Sequence, residues 1–176
     1  MKNINWATVE EAKEFDKVAV GGYICKITAI EDLEDKEYLK ISYDIAFGEF
    51  KDYYKNLNES KGFWGATFIK SYKDTALSFF KGFLTAIQSS NQGFAADTFN
   101  DPKTLVGKFI GLVLSEEEYI SKQDGTIKTR LYVSQVRSID AIKAGDFKVV
   151  DKKTVNPEQA GFVPVSNLND VDELPF

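Results

Sequence analysis

Between residues 51 and 81 the chain interleaves cations with aromatic rings. Lys51, Lys55, Lys61, Lys70, Lys73 and Lys81 stand against only Asp52, Glu59 and Asp74, a local balance of +3. Among them lie Tyr53, Tyr54, Phe63, Trp64, Phe68 and Tyr72. Those types together suit the capture of single-stranded nucleic acid. Unpaired bases stack on aromatic faces, each for about 1–3 kcal/mol, while lysines follow the phosphates. A second set, Lys122, Lys128, Arg130 and Tyr132, surrounds Asp124-Gly125. Arg130 and Tyr132 are two apart, so on a strand they share a face and can meet one ligand. For the lysines of this set, a solvated hairpin face is an equal reading. Glu116-Glu117-Glu118 lies in the same region and would repel phosphate. Consecutive strand residues point to opposite faces, which argues against a shared Mg²⁺ site there.

The whole chain limits these options. Its 176 residues suit one domain plus a tail, and 43% hydrophobic content is ample for a core. Histidine is absent, so neither a Ser-His triad nor a Cys-His zinc site can be built. We therefore expect a binding protein, with neither enzyme activity nor a cofactor. The single Cys25 rules out an internal disulfide and suits a reducing cytoplasm. No run approaches the roughly 18 apolar residues of a membrane span, and the first residues lack the apolar core of a secretory signal. A cytoplasmic location, without membrane association, is the expectation. Net charge is −5, of which residues 151–176 carry −3 and residues 1–150 carry −2. A nucleic-acid site must then be a local patch.

Several elements must position these residues. Residues 4–16 read as a short helix. Val20 to Ile30 reads as a first strand with Tyr23, Cys25, Ile27 and Ala29 on one face, and Glu31 to Glu37 as a charged turn. Tyr38 to Phe47 is the clearest strand: Leu39, Ile41, Tyr43, Ile45 and Phe47 alternate with polar neighbours. The two strands should pair as an antiparallel hairpin. Gly48 to Gly62 reads as a polar loop and Phe63 to Lys70 as a third strand. Alternation puts Trp64, Ala66, Phe68 and Lys70 on one face, and Lys70 marks that face as the wet one. Trp64 and Phe68 there need a cover, either a helix or bases. A helix over about 74–89, with Asp74 as its cap, carries a core stripe of Ala76, Phe80, Phe83, Leu84 and Ile87 widened by Leu77 and Phe79. A helical turn follows Asp101-Pro102. Lys108 to Tyr119 and Thr126 to Val136 form a second hairpin about Asp124-Gly125. Leu131 and Val133 face its inner side, and Ser138 to Ala144 is a short helical turn.

After Val150 periodicity fades, and residues 151–176 read as a largely disordered tail. The tail closes on Asp170-Val171-Asp172-Glu173-Leu174-Pro175-Phe176. An aromatic plug behind a short acidic lead-in suits a basic-rimmed apolar pocket on another protein. This ending resembles the acidic tip of bacterial and phage single-stranded DNA-binding proteins. The resemblance implies that Asp170, Asp172, Glu173, Leu174, Pro175 and Phe176 recruit replication or recombination proteins. The body, through the early hairpin, the aromatic third strand and helix, and the run Ser138 to Phe147, resembles a family of phage-encoded proteins that are uncharacterised or similar to single-stranded DNA-binding proteins, while the bacterial resemblance is confined to the order of elements and the tip.

The order strand, strand, strand, helix, strand, strand is that of the OB-fold, a mainly β, five-stranded Greek-key barrel with one main helix. We expect an OB-fold nucleic-acid-binding domain over 1–150 and a partner-binding tail over 151–176. The expected function is single-stranded DNA binding without strong sequence preference, in phage DNA replication or recombination in the host cytoplasm. A homo-oligomer is compatible with this. The alternative is a protein-interaction adaptor on an OB-like fold with no DNA-binding role.

Overall fold

The structure, a computed structural model, describes residues 2–9 and 17–156. The chain is mainly β. Five strands, β1 (Gly21–Leu33), β2 (Tyr38–Ile45), β3 (Thr67–Ser71), β4 (Phe109–Ile120) and β5 (Ile127–Arg137), form one antiparallel sheet in the order β3-β2-β1-β4-β5. Helix α1 (Tyr53–Lys61) links β2 to β3, α2 (Leu77–Ser90) lies between β3 and β4, and α3 (Ile139–Ala144) follows β5. No helix among the described residues is long and apolar enough to cross a membrane.

The period-two pattern of residues 38–45 becomes β2. Its Leu39, Ile41, Tyr43 and Ile45 are buried, and it pairs with β1 as the expected hairpin. They meet Ile110, Leu112 and Leu114 of β4 and the α2 stripe of Phe80, Phe83, Leu84 and Ile87 in one core. Leu131 and Val133 of β5 pack against it, as their alternation predicts, and Val136 joins them beyond the register shift opposite Val113 and Leu114.

Several local expectations are corrected. β2 stops at Ile45, so Phe47 leaves the inner face and is 57% exposed. A register shift between Ile27 and Ala29 turns Ala29 outward, because a bulge inserts a residue and resets the alternation. Residues 53–61, expected as loop, are helical. In the third strand the faces are the reverse of those expected. Ala66 is buried and Phe68 packs on Tyr43 and Phe83, whereas Thr67 and Ile69 face outward. Lys70 lies on the inner side with its Nζ 5.9 Å from the Phe83 ring centroid, its apolar stem covering core surface. Leu77 and Phe79 do not widen the core stripe of α2: they are 48% and 74% exposed. Asp74 opens a 3-10 turn, and its side chain makes no cap hydrogen bond to α2. Of the helix expected over 4–16, residues Trp6–Thr8 form a 3-10 turn and 10–16 lie outside the described residues.

α3 begins at Ser138, whose side chain accepts from the Ala141 amide, and it lies flat on the sheet. Glycine makes that approach possible. A Cβ on Gly111 would stand 2.5 Å from Ile142 Cγ1 and 2.8 Å from the carbonyl oxygens of Arg137 and Ser138. Two of those three atoms are backbone and cannot swing aside. Gly111→Ala is therefore expected to cost about 1–3 kcal/mol through overpacking, read as a lower urea midpoint at unchanged m.

Beyond Phe147 the chain returns along β4 as a strap. The Gln135 side-chain amide donates to the Lys148 carbonyl, at 3.0 Å. Lys153 donates its amide to the Glu116 carbonyl and accepts from the Glu118 amide, at 3.1 and 2.8 Å. The first residues of the expected tail are thus held to the sheet, and 157–176 lie outside the described residues.

Candidate nucleic-acid interface

Two clefts collect the aromatic and cationic side chains. The first, about 690 Å³, is lined from β1 (Lys26, Thr28), the end of β2 (Asp44 to Phe47), the α1 region (Lys51, Asp52, Lys55), Trp64, and Val106, Gly107 and Phe109. Lys26 points out of β1 because its neighbours Cys25 and Ile27 point in. The rings of Phe47 and Phe109 lie 5.9 Å apart at 39°. Trp64 Nε1 donates to the Ala66 carbonyl at 3.1 Å, which fixes the plane of the half-buried indole. Among the described residues, no carboxylate lies within ion-pair distance of Lys26, Lys51 or Lys55.

Asp44 organises this wall. Its Oδ1 accepts from the amides of Ile45 and Tyr54 (2.8 and 3.0 Å), and Oδ2 accepts from the Lys55 amide (3.0 Å). Asp52, the residue before α1, is left-handed (φ 58°) and its side chain makes no cap bond. The free amides at the start of α1 are therefore satisfied from β2. Burial raises the Asp44 pKa, and the three amide donors oppose that rise without cancelling it.

The second cleft, about 470 Å³, runs between β3 and β5. Lys40, Lys70, Arg130, Phe68, Ile69 and Tyr132 line it, and Gly65 adjoins Trp64 of the first cleft. Burial lowers the Lys70 amine pKa, since the charged form loses hydration. The other cations here are engaged. Arg130 Nε bonds Glu117 Oε1 at 2.8 Å and its guanidinium lies 4.8 Å from the Tyr119 ring, while Lys40 meets Glu31 at 3.7 Å. Lys153 of the strap covers the Tyr132 ring at 4.2 Å.

The clefts bring together Lys51, Lys55 and Trp64 in one and Phe68, Lys70, Arg130 and Tyr132 in the other. The remaining expected residues lie elsewhere. Tyr54 is 8% exposed and stacks edge-on against Tyr43 and Tyr53, so it holds α1 to the core and has no free face for a base. Tyr53 is half-buried between Phe50 and Tyr54. Tyr72 rests on Phe80 and donates to Asp32 Oδ1 at 2.8 Å, a bond that helps push its phenol pKa up to about 12. Lys61, Lys73 and Lys122 are exposed outside both clefts, and Lys128 pairs with Asp124 at 3.4 Å. Asp170, Asp172, Glu173, Leu174, Pro175 and Phe176 lie outside the described residues. The sequence reading missed Lys26, Phe47 and Phe109 in the first cleft and Lys40 in the second. Lys26 and Lys40 were legible as charged residues flanked by buried apolar ones. No local signal joins Phe47 to Phe109.

The glutamates of the second hairpin are separately committed. Glu117 pairs with Arg130, whereas Glu118 pairs with Lys152 Nζ at 3.1 Å and accepts from the Val155 amide at 3.3 Å. These partners hold the Glu118 carboxyl below its ordinary pKa. A depressed carboxylate stabilises the docked strap above the unfolded value and loses that effect as pH falls through the folded one. Acidification below about pH 4.5 is therefore expected to release the strap end, seen as movement of the Val155 amide resonance towards its free position.

No protein-family model matches the chain, and no curated protein matches it.

Proposed function

We propose that the chain binds single-stranded DNA without strong sequence preference and serves phage replication or recombination, as a non-enzymatic protein. One observation carries the reading: the first cleft sets Phe47, Trp64 and Phe109 beside Lys26, Lys51 and Lys55, cations without carboxylate partners among the described residues. Rings for bases and uncommitted charges for phosphates are what a sequence-tolerant single-strand site needs. The sheet order supports an OB-fold assignment. A Greek-key barrel opened between its third and fifth strands has the order β3-β2-β1-β4-β5, and the second cleft runs between β3 and β5. In this proposal the C-terminal tip, residues 170–176, recruits a replication or recombination protein.

The test is fluorescence anisotropy of labelled oligo-dT across a salt series. Saturable binding that falls linearly in log salt and exceeds binding to the matching duplex is expected, with a slope that counts neutralised phosphates. Absence of binding at the lowest salt would remove the proposal and leave the adaptor reading in front.

A further inference from the structure

A third hollow, about 700 Å³, lies apart from both clefts and has the opposite character. Its apolar lining comes from Leu39, Phe80, Leu84 and Phe99, with Leu77 as a half-exposed wall. Asp32, Glu34 and Glu37 line it as well, and no lysine or arginine does. Asp32 takes the Tyr72 hydroxyl, while Glu34 and Glu37 have no cation within ion-pair distance among the described residues. The first two clefts hold six cations between them; this hollow holds only acids. Leu77 gains nothing by its exposure in the free chain, because α2 already buries Phe80, Phe83, Leu84 and Ile87.

We propose that this hollow docks a basic amphipathic helix of a partner protein. The apolar anchors of that helix would fill the space over Phe80 and Leu84, and its lysines or arginines would meet Glu34 and Glu37. Charge complementarity selects a basic occupant. The backbone selects a helix over a strand: Leu39 is paired on both sides, with Asp32 and with Lys70, so the floor offers no free strand edge for β-addition. An apolar hollow with acids in its lining suits the helix-in-groove mode. The inference does not rest on the nucleic-acid reading and concerns different residues.

The experiment titrates the full chain with two labelled 18-residue helical peptides. Both carry Leu at i, i+3, i+4 and i+7; one has a lysine polar face and the other a glutamate polar face. The lysine peptide is expected to saturate at one per chain and to bind at least about tenfold tighter than the glutamate peptide. Leu77→Glu should weaken the lysine peptide by about tenfold, a single-anchor loss. The pair Glu34→Lys and Glu37→Lys should reverse the preference between peptides. Both sites are exposed, and circular dichroism confirms that the variants fold. Oligo-dT affinity should stay unchanged in all of them, which separates this site from the first cleft. An unchanged lysine-peptide preference in the charge-reversed protein, displacement of the peptide by oligo-dT, or no saturation by either peptide would overturn the proposal.

Discussion

Phe47→Ala is expected to fold like the parent and to bind oligo-dT about 5- to 150-fold more weakly, the loss of one stacked base at about 1–3 kcal/mol. Its ring is 57% exposed and ends no strand, so truncation leaves the core intact. Trp64→Ala should show a loss of similar size with some cost to stability, because the indole is half-buried and hydrogen-bonded to Ala66. Phe79→Ala is the control. That ring is more exposed than Phe47 yet lines neither cleft, so its removal should leave affinity unchanged. Equal affinity across parent, Phe47→Ala and Trp64→Ala would take the first cleft out of the interface. Lys26→Ala, Lys51→Ala and Lys55→Ala should act differently. Each is expected to lower the log-log salt slope by about one while leaving base preference unchanged.

Asp44→Ala is expected to be the most destabilising change of those considered, by about 3 kcal/mol. Three amides, those of Ile45, Tyr54 and Lys55, the first two buried, lose an ionised acceptor together, and hydrogen bonds to charged groups contribute about 1.5–3 kcal/mol each. Water entering from the first cleft, which Asp44 lines, returns part of that sum. Asp44→Asn keeps an oxygen for two of the amides and should recover about half of the loss. Urea unfolding would read both, with a shifted midpoint and a constant slope. The variant also tests the tie between fold and site. Lys51 and Lys55 ride on the segment that Asp44 secures, so oligo-dT affinity should fall in Asp44→Ala although no cation has been removed. A stable Asp44→Ala protein would show that α1 needs no support from β2.

What the sequence disclosed followed from how local each cause was. β2 was legible because its burial follows the two-residue period of the strand itself. α2 was legible through Phe80, Phe83, Leu84 and Ile87, which recur at helical spacing. α1 was not: its stripe of Tyr53, Tyr54 and Leu57 is short and set among polar residues, and its amides are satisfied by an aspartate that precedes Tyr54 by ten residues. The third strand misled for a different reason. Lysine was read as a marker of the wet face, but Lys70 lies on the core side with its stem on apolar surface and its partly desolvated ammonium over Phe83. The candidate site was half legible. Lys51, Lys55 and Trp64 were in the aromatic-cation stretch, whereas Lys26, Phe47 and Phe109 join them only when β1, β2 and β4 are side by side. The strap was hidden because the Lys153 bonds to Glu116 and Glu118 are backbone ones, and the side-chain contacts that join it, Gln135 with Lys148 and Glu118 with Lys152, link residues far apart in the chain.

That strap has a consequence for how the protein behaves in concentrated solution. β1 accompanies β4 only as far as Leu114, and the next residues would present a bare row of amides and carbonyls. Lys153 closes that row by bonding to Glu116 and Glu118. A protease nick between Lys148 and Lys153 would remove the cover without touching the core. The nicked molecules would still be folded, but each would carry an open strand edge able to pair with the next. Storage losses of this protein should accordingly follow trace proteolysis near residue 150 more closely than they follow heat.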